Sequence, residues 1–98
     1  MEGHSLIATD VLARYAGDAA TDAAGVLGLV ESALHRHKGV RILADEGRVG
    51  VELHLAVEWG CSIPDVGRAV QQQVVDYLAR MADIRPTAVN VVVEEIGG

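Results

Sequence analysis

Aromatic residues are scarce in this sequence. Phenylalanine does not occur, and tryptophan and tyrosine together make up 3% of the 98 residues. Without such rings the chain has no aromatic cluster on which a base, a sugar or a flat cofactor would stack. Its core must consist of Val, Leu, Ile and Ala, and because half of the residues are hydrophobic there are enough of them for one core.

Cysteine and positive charge are also scarce. Cys61 is the only cysteine, which excludes an internal disulfide and is typical of a reducing compartment. The 14 acidic residues outnumber the 8 Lys and Arg residues, which leaves a net charge of −6. Phosphate backbones and anionic lipid surfaces repel such a chain on average. The composition therefore disfavours direct binding to nucleic acid or to a membrane surface.

Long hydrophobic runs are missing as well. Residues 1–4 have neither the basic region nor the apolar run of a signal peptide. No uninterrupted apolar stretch approaches the roughly 18 residues that indicate a membrane span. We therefore expect a cytoplasmic protein, and its length predicts a single domain over residues 1–98.

An amphipathic helix is predicted over residues 9–24, where apolar side chains recur with helical spacing. Thr9 is the expected N-cap and Gly25 the expected stop. The predicted apolar face comprises Val11, Leu12, Tyr15, Ala16, Ala19, Ala20 and Ala23. Residues 26–38 are ambiguous, and the pattern favours a short turn or strand followed by a weak helix that ends at Gly39.

The clearest pattern in the chain is a period of two over residues 49–59, which predicts a strand with one buried face. Residues 40–44 are expected to pair with it as a hairpin across the Asp45–Gly47 turn. The predicted buried face comprises Val49, Val51, Leu53, Leu55, Val57 and Trp59. The opposite face, with Glu52, His54 and Glu58, is predicted to be polar and mostly solvated.

A second helix is predicted to begin at Ile63-Pro64-Asp65 and to end near Asp83, since proline and an acidic residue both suit a helix start. Its predicted buried stripe comprises Ile63, Val66, Val70, Val74, Tyr77, Leu78 and Met81. Residues 88–96 form a last predicted strand, with Val89, Val91 and Val93 on one face.

The predicted order is α, a short element, β, β, α, β. This order indicates an α+β two-layer sandwich, with two main helices on a mixed sheet of three to four strands. The order of the strands within the sheet does not follow from the sequence.

Four residues resemble a metal-ligand set: His35, His37, His54 and Cys61. His35 and His37 lie in a polar, basic segment, where solvated side chains are the usual outcome. The carboxylate pairs Asp45/Glu46 and Glu94/Glu95 fall in a turn and near a terminus, whereas acid–base catalysis needs a dry cleft. We therefore predict no metal, cofactor or catalytic residues.

Two less favoured interpretations remain open. Cys61 precedes a helix N-terminus, a position that activates thiols, so a small thiol-dependent enzyme or ligand-binding domain is one alternative. No base is close to Cys61 in sequence, and a loop thiol packed against Trp59 is the preferred interpretation. The second alternative is a KH-like RNA-binding module, because Gly-x-x-Gly occurs at residues 25–28 and 47–50. The inner residues of the first match are apolar rather than basic, which disfavours it.

Four stretches, in this order, resemble the alkaline shock protein family, also called the envelope stress response family. They are residues 7–20, residues 25–29, residues 39–42 with 49–60, and residues 63–66 with 89–91. The first resembles the family's helix with Ala16-Gly17 at its middle, and the third ends in Glu58-Trp59-Gly60. A glycine in mid-helix costs about 1 kcal/mol and is tolerated where backbones pack closely.

The resemblance implies a cytoplasmic, non-enzymatic protein linked to cell-envelope homeostasis or stress. Some family members are held at the membrane by small anchoring proteins and self-associate, and others are connected to fatty-acid synthesis. We therefore expect a homo-oligomer or a protein partner, with no nucleic acid and no membrane span of its own. The resemblance supplies no catalytic residues.

Overall fold

A computed structural model describes residues 5–31 and 39–97, with the side chains of the first helix described from Thr9 onward. The elements in chain order are α1 (Ser5–Thr21), β1 (Val26–Leu29), β2 (Val40–Asp45), β3 (Arg48–Glu58), α2 (Ile63–Ala82) and β4 (Ala88–Gly97). Two helices and four strands in this order confirm the predicted α+β class.

Strand β3 is the centre of the sheet. β4 runs parallel to it along one edge, whereas β1 and β2 are antiparallel to it. Because a strand has only two edges, β1 and β2 share the other one, end to end. They meet at His54, whose N–H donates to the Gly39 carbonyl and whose carbonyl accepts from the Val30 N–H, each at 2.8 Å. The sheet is therefore mixed, as predicted.

The core lies between β3 and the two helices. Four of the alternating β3 side chains have no exposed surface: Val51, Leu53, Leu55 and Val57. Trp59, predicted to be buried with them, is 80% exposed, so that prediction is wrong. The strand ends at Glu58, and Gly60, with φ of 87°, turns the chain, so the alternation does not extend to the indole.

Helix α1 differs from its prediction at both ends. It begins at Ser5, so Thr9 lies within the helix and is not its N-cap. Residues 5–8 contain no glycine or proline, and nothing in them prevents the earlier start. The helix ends at Thr21, where Ala23 N–H donates to the Ala20 carbonyl and tightens the last turn. Val11 is 39% exposed and does not belong to the buried face.

The buried face of α1 consists mostly of alanine, which allows the helix to lie close to the sheet. Gly17 is at the closest approach: a Cβ atom there would lie 3.1 Å from Leu29 Cδ1 and 3.4 Å from Val40 Cγ2. The mid-helix glycine is thus explained by its contacts with β1 and β2.

Helix α2 has capping residues at both ends. The Ser62 hydroxyl accepts from the Asp65 N–H, and Asp83, in the left-handed conformation, closes the C-terminus. Its buried residues are Val66, Val70, Val74 and Leu78. Ile63 and Met81, at the two ends of the predicted stripe, are 39% and 49% exposed and do not belong to the buried face.

The ambiguous segment is partly settled. Val26–Leu29 forms strand β1, as the first alternative predicted. The weak helix expected after it falls largely on residues 32–38, which lie outside the described residues.

Candidate functional site

Among the described residues, neither helix covers one of the two faces of the sheet. Side chains that alternate with the β3 core residues point to this side, which we call the open face. It holds Leu43 on β2, opposite Gly50, and Val92 on β4, opposite His54. Leu43 is 42% and Val92 38% exposed, so apolar surface is accessible on both sides of β3.

A histidine between two carboxylates lies in the middle of the open face. His54 Nε2 is 2.6 Å from Glu52 Oε2, and His54 Nδ1 is 2.5 Å from Glu94 Oε2. Glu52 lies two residues away on the same strand, and Glu94 lies on β4. The histidine is only 8% exposed, so the prediction of a solvated His54 side chain is wrong.

The charge of this cluster depends on the protonation of the ring. Burial disfavours the imidazolium and by itself lowers the pKa of His54. The hydrogen bonds and charges of Glu52 and Glu94 act in the opposite direction and prevail, so the pKa of His54 lies above its ordinary value of 6.5. A protonated ring donates to both carboxylates, whereas a neutral ring has a single N–H and can donate to only one. Protonation therefore gives the cluster a second charge-assisted hydrogen bond, so that the ring bonds both Glu52 on β3 and Glu94 on β4.

A β-bulge in β4 determines where the acidic side chains lie. Leu55 pairs with Val93 and Ala56 pairs with Glu95, so Glu94 is the extra residue. Without the bulge, Glu95 would lie opposite Val57 on the helix-covered face. The bulge thus keeps both glutamates away from the core. In the sequence, the two adjacent glutamates interrupt the alternation of valines along β4, and this interruption is the signal from which the bulge could have been predicted.

The metal-ligand interpretation gains no support from this geometry. The two carboxylates contact opposite nitrogens of the His54 ring and do not converge on one point. Within residues 5–31 and 39–97, no three His, Cys, Asp or Glu side chains are placed to hold a metal ion. His35 and His37 lie outside the described residues.

Cys61 lies in the turn between β3 and α2. It is half-buried and packs against the core, and its N–H donates to the Glu58 carbonyl. The Cys61 thiol was predicted to pack against Trp59. Trp59 is largely exposed, so most of its ring surface faces solvent instead of the thiol. These contacts give Cys61 a packing role.

The remaining motifs lie in turns and strands. Asp45 and Glu46 are exposed at the β2–β3 turn, as predicted. The first Gly-x-x-Gly match begins at the Gly25 turn and continues into β1, which pairs with β3. A KH loop instead joins two helices and leaves its backbone free for nucleic acid. The second match, residues 47–50, lies in the turn and the start of β3.

Comparison with known proteins identifies the family. The model of the alkaline shock protein 23 family, whose description is a cell envelope-related function, matches residues 1–97. The chain belongs to the alkaline shock protein family. The resemblance found in the four sequence stretches is thereby confirmed over nearly the whole chain. The comparison with curated proteins found no match to this chain.

Solved structures with the same fold include forms of the C-terminal domain of MamM. A double variant of that domain has a TM-score of 0.67 at 14% identity, covering 91% of this chain and 94% of its own. A zinc form has a TM-score of 0.64 at 16% identity, covering 88% and 84%. A nickel form has the same score and identity, covering 88% and 96%. At such low identity the likeness shows a shared α+β fold.

Among the helices of the described residues, none is both long and apolar enough to cross a membrane.

Proposed function

We propose that this protein is a single-domain, non-enzymatic interaction or scaffold protein with a role at the cell envelope. It acts from the cytoplasm, by self-association or by docking on a membrane-anchored protein. The observation that supports this most is the open face, where Leu43 and Val92 expose apolar surface on either side of a buried His54. Exposed apolar surface bordered by polar groups is typical of protein interaction sites.

The acidic surroundings narrow the range of partners. Glu52, Glu58 and Glu95 lie on or beside the open face, and the whole chain has a net charge of −6. Such a surface favours protein partners with positive charge over nucleic acid or anionic lipid. The family's cell envelope-related function agrees with a protein partner at the membrane.

Two measurements on the purified protein and on cells test this proposal. We expect sedimentation analysis over a range of concentrations to detect self-association, or in-cell cross-linking to yield a discrete complex in the membrane fraction. A protein that stays monomeric at high concentration and forms no cross-linked complex in cells would contradict the proposal.

A further inference from the structure

The two edges of the sheet differ in length and continuity. One edge is divided between β1 and β2, which have four and six residues. The other edge is β4, with ten residues, and among the described strands only β3 pairs with it. Proteins commonly protect an edge with proline, charged side chains, a bulge or a very short strand, and the part of β4 before its bulge, residues 88–93, has none of these. The outer edge of β4 is therefore available for further strand pairing.

Hydrogen bonds show which β4 residues face this edge. The Val89 carbonyl accepts from Gln71 Nε2 of α2 at 2.8 Å, so this carbonyl points away from β3. Successive residues of a strand direct their N–H and carbonyl groups to alternate edges. Val91 and Val93, which precede the bulge, consequently point their backbone groups to the same outer edge as Val89. The backbone N–H and carbonyl groups of Val91 and Val93 form a row of donors and acceptors with no described strand beside it.

A largely apolar groove of about 290 Å³, with Arg68 and Gln71 also in its lining, runs along the same edge, between β4 and the first half of α2. Val91 and Val93 line it on the sheet side, and Ile63 and Gly67 line it on the helix side. A Cβ atom on Gly67 would meet nothing within 4 Å, so the groove is open there. A strand added about 4.8 Å from β4 would direct alternate side chains into this groove.

Charge indicates what kind of strand fits. On the open face, Glu94 and Glu95 follow each other along β4, and Glu58 lies opposite Gly97. A second copy of β4 added in parallel would bring two more glutamates to the same place, in a chain that already has a net charge of −6. A strand with basic side chains on that face would instead be attracted.

We propose that the β4 edge and its groove bind an extended segment of another protein in which apolar and basic residues alternate. The main chain of the segment pairs with Val91 and Val93, its apolar side chains fill the groove beside Gly67, and its basic side chains lie near Glu95. Strand addition of this kind takes affinity from main-chain hydrogen bonds and specificity from alternate side-chain positions. The inference rests on the proposed function and names the class of partner.

A synthetic peptide tests the inference on the full-length chain. The peptide has about eight residues, a typical strand length, with valine and lysine in alternation and a fluorescent label. We expect saturable binding by fluorescence anisotropy. A peptide of the same sequence with N-methylated amides along one edge lacks donors for strand pairing and should not bind.

Gly67→Leu is the decisive variant, because Gly67 lines the groove and a Cβ atom added there meets nothing within 4 Å. Leucine is a better helix former than glycine, so the variant should be at least as stable as the wild type. We expect peptide affinity to fall about tenfold or more, since the groove is then occupied. Gln72→Leu adds the same side chain to an exposed position of α2 outside the groove and should leave affinity unchanged.

Charge reversal provides an independent test. Glu95→Lys should weaken binding of the lysine peptide roughly threefold to tenfold and favour a peptide with glutamate in place of lysine. Glu46→Lys, in the β2–β3 turn, is the matched control and should have little effect.

The outcomes separate this inference from the proposed function. Binding that is unaffected by Gly67→Leu, or equal for the lysine and glutamate peptides, would overturn the inference. If no peptide binds while the protein still self-associates or forms a complex in cells, the edge assignment is wrong and the proposed function stands. If the lysine peptide binds and Gly67→Leu abolishes binding, the inference is supported even when no cellular complex is found.

Discussion

The Nδ1 atom of His54 lies 2.5 Å from a carboxylate oxygen of Glu94, a residue 40 positions further along the chain. This contact joins the central strand to the edge strand on the face that no described helix covers. Because the pKa of His54 is raised in the folded protein, part of the free energy of unfolding depends on the protonation of this ring.

The first prediction concerns pH. The pKa of His54 is raised in the folded protein, so its stabilising contribution is fully present below about 6.5, the ordinary value, and is lost as pH rises through the folded-state pKa. His54→Gln removes the titrating group. We expect this variant to be less stable than the wild type by about 1–3 kcal/mol at acidic to neutral pH, a difference that shrinks at alkaline pH.

Urea unfolding of both proteins at a series of pH values measures this difference. Glu46→Gln, in an exposed turn, is a control that should follow the wild type throughout. A difference that stays constant or grows as pH rises would show that the His54 ring is not held in its protonated form.

A second prediction tests whether β1 and β2 meet at His54. Gly39 and Gly47 both have positive φ, of 90° and 79°. A Cβ atom on Gly39 would lie 2.6 Å from the Val30 carbonyl oxygen and 3.1 Å from that of His54, whereas one on Gly47 would meet nothing within 4 Å. Gly47→Ala should cost about 1–2 kcal/mol of unfolding free energy for its backbone conformation alone.

Gly39→Ala should cost a further 1–3 kcal/mol or so, because the added methyl group overlaps backbone that cannot move away easily. Denaturant unfolding of the two variants gives the comparison directly. Equal losses of unfolding free energy for the two substitutions would mean that the backbone of Val30 and His54 does not pack closely against Gly39.

A third prediction separates the buried and exposed ends of β3. Leu53 has no exposed surface, so Leu53→Ala should lower the unfolding free energy by about 2–5 kcal/mol. Trp59 is 80% exposed, and Trp59→Ala should cost less than about 1 kcal/mol. Unfolding should be followed by circular dichroism, since Trp59 is the only tryptophan. A Trp59→Ala cost equal to that of Leu53→Ala would place the indole in the core.

Features with local causes were predictable from the sequence. The β2–β3 hairpin follows from a period of two interrupted by turn residues, and the start of α2 follows from Pro64 and Asp65. The reason for the glycine at position 17 is not local. It lies in close contacts with β1 and β2, and the sequence alone does not show which elements make those contacts.

Features that depend on strand order were not predictable. His54 looks solvated in sequence, because the carboxylate of Glu94 reaches it only when β4 lies beside β3. In the sequence, Trp59 continues the alternation of apolar residues. Strand β3 nevertheless ends one residue earlier, at Glu58. The Trp59 N–H donates to the Gly97 carbonyl at 2.5 Å. The open face therefore became visible only once the neighbours of β3 were known.

The most direct test of the proposed function is site-specific photo-crosslinking in living cells. A photo-reactive amino acid replaces Val92 on the open face or, as a control, Asp76 on the exposed side of α2. We expect a discrete product from position 92, consisting of two copies of the chain or of one copy with a membrane-anchored protein, and no such product from position 76. No product from position 92, or the same product from both positions, would contradict the proposal that the open face binds a partner.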